Sequence, residues 1–178
     1  RDFVDNVVMS IKNSIQNPGT FYGGNWYNKE PPKAYTYLNL WSINYSGTSY
    51  VPVVKTIYDP CPPGFHVPTT ETFTGFSKTG RNTNNPTEFN NLKILDYCGY
   101  FYNKLTSPDA VVTIPLLGYI RAGSGSIDTD ANYWEAESTR LSSGNGLYFM
   151  WNSRDISFLS PLFSFEKSNG VCVRPVTE

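Results

Sequence analysis

Between Tyr58 and Thr70 the chain reads Tyr-Asp-Pro-Cys-Pro-Pro-Gly-Phe-His-Val-Pro-Thr-Thr, four prolines in thirteen residues. Each proline fixes φ and removes a backbone donor, so this stretch is neither a helix interior nor a central strand. It reads as a rigid extended connector around which the rest of the chain must be arranged. Gly64 supplies the position free to take φ > 0, and Cys61 sits where a covalent tie would hold the segment down. Pro68 keeps Val67 extended, and Thr69 or Thr70 is a candidate N-cap whose hydroxyl accepts from first-turn amides. No side chain in the connector is an evident catalyst.

A chain of 178 residues is long enough for one domain that buries about 70% of its extended-chain surface. We read residues 1–178 as a single domain, with no internal repeat or linker. A hydrophobic content of 39% with 16% aromatics excludes disorder as the main state. The apolar mass is weighted to 13 Tyr, 11 Phe and 4 Trp against 2 Met, and rings with a polar handle suit binding surfaces as well as half-buried strands. Charged residues are 16% and the net charge is −1, which leaves no electrostatic footprint for nucleic acid and no basic cluster for a membrane surface. No run of eighteen apolar residues argues for membrane insertion. The chain begins at Arg1 rather than Met, and we expect a fragment of a longer protein, so the lack of a visible signal peptide says nothing about secretion.

Along the chain, Phe3, Val4, Val7, Val8, Ile11 and Ile15 recur at helical spacing over residues 3–15, and Asn17-Pro18-Gly19 ends that pattern. Residues 20–50 read as a long loop pinned by aromatics. Val51–Ile57 is a strand candidate. A short helix from Thr70 is expected to turn Phe73 and Phe76 inward, and a second around Glu88–Lys93 precedes a strand over Tyr97–Asn103. Val111–Ile120 is the strongest strand pattern, with Pro115 arguing for an edge or a bulge. Late strands are expected over Tyr133–Glu137, Gly146–Trp151 and Val171–Val176.

The single histidine, His66, has no nucleophile or acid at recognisable triad spacing, and reads as a packed turn residue. Three cysteines without a CxxC pair disfavour zinc. They permit one bridge and one free thiol, or three free thiols. Asp128 and Asp130, followed by Asn132 and Glu135, form the one carboxylate cluster to weigh as a calcium site, but the EF-hand glycine and glutamate positions are missing. We expect no resident cofactor. Exposed-looking aromatic, amide and charged residues flank the late loops: Tyr119, Arg121, Tyr133, Trp134, Trp151, Asn152, Arg154 and Asp155. Rings there can stack on sugar faces or anchor a protein, with Asn, Asp and Arg giving directional bonds. The competing reading puts Tyr133 and Trp134 in the core.

The run Asp59-Pro-Cys-Pro-Pro-Gly-Phe-His-Val-Pro68, with Gly170-Val-Cys-Val-Arg-Pro-Val176, resembles the C-terminal domain of fimbrillin-family surface proteins of gut anaerobes, related to the FISUMP type of C-type-lectin-like domain. Further matches in family order are Ser14-Ile-Gln-Asn-Pro-Gly-Thr-Phe-Tyr22, Asn39-Leu-Trp41, Val54-Lys-Thr-Ile-Tyr58, Phe73-Thr-Gly-Phe76, Ile114-Pro-Leu-Leu-Gly-Tyr119 and Tyr133-Trp134. They run from about Ile11 to Val176. The resemblance implies an α+β fold of C-type-lectin-like type, with two short helices and a twisted antiparallel sheet under long ordered loops. It also implies a Cys61–Cys172 disulfide, worth about 4–5 kcal/mol by chain entropy. Trp151-Asn-Ser-Arg-Asp155 is similar to the calcium- and sugar-bearing Trp-Asn-Asp strand of true C-type lectins, but two residues intervene before Asp155 and no Glu-Pro-Asn partner loop is present. Calcium is therefore a weak expectation.

The resemblance implies a non-catalytic binding domain at the C-terminal end of a cell-surface or pilus-tip protein of a Gram-negative anaerobe. Such a domain is adhesin-like and extracellular, and recognises a host or bacterial surface glycan or protein. The alternative is a structural subunit that contacts only neighbouring pilus subunits or other domains of its parent chain. The lectin-like fold is also used by the formylglycine-generating enzymes. Here Cys98 and Cys172 would have to act as their cysteine pair, and the surrounding sequence does not match.

Overall fold

The proline-rich connector is shaped by one cation and one carboxylate. Prolines leave carbonyls without a ladder to join, and the Lys55 ammonium takes up three: it donates to the carbonyls of Cys61 at 2.6 Å, Pro62 at 2.9 Å and Phe65 at 2.6 Å. Asp59 accepts from the Cys61 N–H at 2.7 Å and the Val67 N–H at 3.1 Å. Gly64 holds φ 80 at the turn, the left-handed position expected of it. The clasp delivers Val67 and Pro68 to the interior, where the Pro68 carbonyl accepts from Ala136 N–H at 2.7 Å.

The computed structural model describes residues 2–4, 16–22, 41–44, 51–121, 127–138, 143–152, 155–167 and 169–178. They form small sheets, antiparallel except for one pair, with almost no helix. The parallel pair joins β1 (Asp2–Val4) to β2 (Thr20–Tyr22), so Phe3 and Val4 start a strand rather than the expected helix, and residues 5–15 lie outside the described residues. β3 (Phe65–His66) within the connector pairs with the last strand, β12 (Val176–Thr177). β4 (Asn91–Leu95), β5 (Cys98–Tyr102) and β6 (Val111–Pro115) form one three-stranded sheet, and β7 (Tyr119–Ile120) pairs with β8 (Ile127–Asp128). The second three-stranded sheet has the order β11 (Asp155–Glu166), β10 (Ser143–Asn152), β9 (Ala131–Ser138).

Both expected helices are 3-10 turns. Thr72–Phe76 buries Phe73 and half-buries Phe76, as the inward spacing predicts. The second is Pro86–Glu88, capped by the Asn85 side chain, which accepts from Thr87 N–H at 3.2 Å. Phe89 is then extended and bridged to Ser77, and residues 91–95 become β4 instead of continuing the helix. Val51–Ile57 is irregular apart from a bridge from Lys55 to Ser42, and Val171–Val176 is a strand only at its last residue. Pro115 ends β6, which is an edge strand, so its missing N–H costs the ladder nothing.

The longest strand, β11, carries Pro161 inside it. Between the Tyr148–Ser160 and Gly146–Phe163 pairs, β11 spends one residue more than β10, and Pro161 falls in that bulge on an edge strand. A second bulge lies between the Met150–Phe158 and Trp151–Ile156 pairs. These interruptions erase the period-2 signal, which is why sequence pattern alone leaves residues 155–166 unassigned.

β9 divides the core. Its outer edge is covered, because Trp134 N–H donates to Cys172 O at 2.9 Å and Cys172 N–H to Asn132 O at 3.2 Å. Ala131 and Tyr133 face a first cluster with Phe73, Phe89, Phe101, Ile114, Leu147, Phe149 and Leu159. Trp134 and Ala136 face a second with Cys61, Val67 and Phe165. The connector therefore forms the floor of the second cluster.

Candidate ligand-binding site

The second face of the β9–β10–β11 sheet carries a continuous row of rings. Trp41 meets Trp134 edge-on at 6.0 Å, and Trp134 meets Phe165 at 5.5 Å. Phe165 packs on Phe163 at 4.9 Å, Phe163 on Tyr148 at 4.8 Å, and Tyr148 on Phe158 at 5.5 Å. Glycines make this packing possible: a Cβ on Gly144 would lie 3.0 Å from the Trp134 ring. The row passes from buried at Trp134 and Phe165 to half-buried at Phe163, Tyr148 and Phe158. It is a shelf buried at Trp134 and Phe165 and half-buried at both ends, Trp41 and Phe158.

Polar groups border the shelf. The Tyr148 hydroxyl donates to Asp130 Oδ2 at 3.2 Å. Tyr119, whose ring lies 6.5 Å from Phe165, accepts at its hydroxyl from Arg121 Nε at 3.2 Å and Nη2 at 3.0 Å, and Arg121 itself is exposed. Asn132 lies opposite Tyr148 in the ladder, fully buried, with neither side-chain amide atom hydrogen-bonded. A half-open run of rings edged by a carboxylate, a guanidinium and phenol hydroxyls can stack on an apolar ligand face and direct bonds to its rim.

Of the residues expected at a site, Tyr119, Arg121 and Asp130 are brought together here, whereas Trp134, 6% exposed and part of the second cluster, is core and backs the shelf. Tyr133 is corrected from contact to core. It is 3% exposed, points to the first cluster and donates its hydroxyl to Pro115 O at 2.6 Å. Burial is the main cause holding its phenol proton tightly. Asp128 enters the site region through its backbone pair with Tyr119. Asn152 and Asp155 face each other in register across the end of the β10–β11 hairpin, with Trp151 beside them on β10, while the side chains of these three and all of Arg154 lie outside the described residues.

Among the described residues, no group of three or more His, Cys, Asp and Glu is placed to hold a metal. The Asp130 carboxylate is instead occupied by Tyr148. The Cys61–Cys172 bridge is not formed, and all three cysteines are free thiols. Cys61 belongs to the second cluster, whereas Cys172 packs against the first, with its thiol 3.8 Å from Gly118 O. Burial, and then the Asp59 carboxylate, pushes the Cys61 thiol up to about 11, and burial raises Cys172 as well. Both are held as thiols rather than as nucleophilic thiolates. His66 Nδ1 lies 2.6 Å from Val67 O, so that nitrogen carries the proton and serves the connector.

Tyr148, Phe158, Phe163 and Phe165 are the site residues that sequence reasoning misses. Their one signal is the density of rings in Phe158, Phe163 and Phe165, and the bulges of β11 break its alternation. Comparison with known proteins finds no matching family model, no matching curated protein and no matching solved structure.

Proposed function

We propose that this chain is a non-catalytic, adhesin-like binding domain of a bacterial cell-surface or pilus-tip protein, C-type-lectin-like in type. It would take a surface glycan or protein ligand on the aromatic shelf. The observation that carries this reading is the ring row Trp134–Phe165–Phe163–Tyr148–Phe158, which passes from buried to half-buried rings, with Asp130 bonded to Tyr148 and Arg121 bonded to Tyr119 beside Phe165. The fold assignment draws support from the contact between the two motifs that carry the family resemblance: His66 pairs with Val176. An extracellular setting at the surface of a Gram-negative anaerobe follows from the same resemblance.

The test is a glycan-array and mucin-binding screen with the chain, run in calcium and in chelator, beside a Tyr148→Ala variant. We expect binding that ignores chelator and is lost with Tyr148→Ala. Binding that vanishes on chelation would restore calcium and the Asp128–Asp130 region as the site. Absence of binding to every glycan would shift the weight to a subunit-contact role. One observation favours that second reading: Ile43, Val54, Ile57, Tyr58 and Phe65, all on the 41–66 stretch, are exposed, Ile57 by 91%. An apolar surface of this kind suits a neighbouring subunit.

A further inference from the structure

Three unmatched polar atoms collect where the connector leads into the first 3-10 turn beside β9. Between its Trp134–Gly146 and Ser138–Gly144 pairs, β9 carries two more residues than β10, and Glu135 lies in that bulge. Its side chain is 1% exposed and neither carboxylate oxygen closes a hydrogen bond. The backbone N–H groups of Glu71, Phe73 and Thr72 at the opening of the turn favour its ionised form, although Thr72 N–H is already given to Thr69 O at 3.2 Å. The hydroxyl of Thr70, next to Glu71, is also buried and unpartnered. Glu71 holds φ 69 and ψ 6, a left-handed backbone that a residue with a side chain adopts at a cost. A strained turn therefore presents amides, which only donate and so favour the anion, and a hydroxyl, which can also accept from the neutral acid.

We propose that Glu135 is a proton-operated latch: the ionised carboxylate recruits the N–H groups of Glu71 and Phe73, the neutral acid releases them in favour of Thr70, and proton occupancy thereby sets how the turn over residues 70–76 is held against β9. Loosening that turn loosens Phe73 and Phe76, which it delivers to the first cluster. Burial is the main influence on this carboxyl and pushes it up to about 8, so the exchange of partners falls in the neutral to mildly alkaline range.

Among the described residues, the other ionisable groups around the latch, Glu137 apart, are bonded elsewhere, exposed or distant. On β9, Glu137 adds to the upward push, and Tyr133 has its hydroxyl on Pro115 O. On the turn, the Glu71 side chain is exposed. The connector contributes His66, bonded to Val67 O, and the Lys55–Asp59 pair. The C-terminal stretch contributes Cys172 and Arg174, which donate to the carbonyls of Gly118 and Thr113. β10 contains no Asp, Glu, Lys, Arg or His, and β11 contributes exposed Glu166 and, at the far end of its hairpin, Asp155.

Carbon-detected NMR of the side-chain carboxyls, together with amide shifts, tests the latch on the chain as it stands. Glu135 is expected to titrate with a midpoint of about 8, with the amides of Glu71 and Phe73 moving at the same midpoint. Glu135→Gln is expected to abolish that amide titration, and Thr70→Val to lower the midpoint by depriving the neutral acid of its hydroxyl. A Glu135 carboxyl titrating near 4.5, amide midpoints that persist in Glu135→Gln, or a midpoint unmoved by Thr70→Val would each overturn the proposal. Should Glu135→Gln fail to fold, the unsubstituted chain's carboxyl midpoint and the Thr70→Val shift still decide it.

Discussion

Lys55 and Asp59 stand 3.9 Å apart, ammonium to carboxylate, with the Asp59 side chain fully buried and that of Lys55 mostly so. Each carries more than the ion pair. Lys55 collects the carbonyls of the proline run, and Asp59 collects two N–H groups of the same run. Val54-Lys-Thr-Ile-Tyr58 and the proline motif after it are thus two halves of one device.

Removing the cation while keeping the bulk of its stem tests that device. Lys55→Met leaves a buried carboxylate unpaired and takes the ammonium from three carbonyls, of which Pro62 O keeps a further donor, the Phe65 N–H at 3.1 Å, and should cost about 3 kcal/mol. Urea unfolding would show it as a lower midpoint at unchanged slope. A midpoint within error of the unsubstituted chain would mean that water replaces the ammonium without loss.

The glycines of β10 separate close approach from mere turn chemistry. A Cβ on Gly146 would come 2.3 Å from the Tyr133 carbonyl, whereas one on Gly75 meets nothing within 4 Å. Gly146→Ala should therefore part β9 from β10, costing about 3 kcal/mol or more, while Gly75→Ala should be close to neutral. Parallel thermal melts of the two variants check the contrast, and equal stabilities would contradict it.

How much of this was legible in the sequence follows from which forces are local. The connector was, because proline acts on its own backbone. So were the 3-10 turn carrying Phe73 and Phe76, the edge position of Pro115, and the cores of β5, β9 and β10. β11 was not, because Pro161 and two bulges hide its alternation until β10 is present to define the register. Its rings Phe158, Phe163 and Phe165 were hidden with it, and so was most of the shelf. For Tyr133 and Trp134 both a contact and a core reading were open, and what stayed hidden was that strand alternation sends the two to opposite clusters.

That alternation predicts different fates for two tyrosines. Tyr133→Phe loses the hydrogen bond to Pro115 O, should cost about 1 kcal/mol, and should leave ligand binding unchanged. Tyr148→Ala, on the half-buried part of the shelf, should abolish binding while the domain stays folded. Binding isotherms and melts on both variants decide the matter, and loss of binding in Tyr133→Phe would return Tyr133 to the contact surface.

Two buried ionisable groups give stability opposite slopes with pH. Unfolded, Glu135 ionises near its ordinary 4.5, and folded at about 8. Between those values the native state keeps a proton that the unfolded state has lost, so stability falls as pH rises through the window. Glu135→Gln lacks that decline, so its stability relative to the unsubstituted chain should climb by about 2–4 kcal/mol from pH 4.5 to pH 8 and then level off. Lys167, whose ammonium has no partner, is lowered by burial from 10.5 to about 8. Here the native state releases its proton first, so the cost of burying the charge is complete below pH 8 and is recovered as pH rises to 10.5. Lys167→Met should therefore gain about 1–2 kcal/mol at pH 7, a figure reduced for the part of the side chain that water still screens. The gain should fade towards pH 10.5. Urea titrations of both variants across pH 4–11 read the two windows separately, and a difference that stays flat with pH in either variant would show that its group titrates as if unfolded.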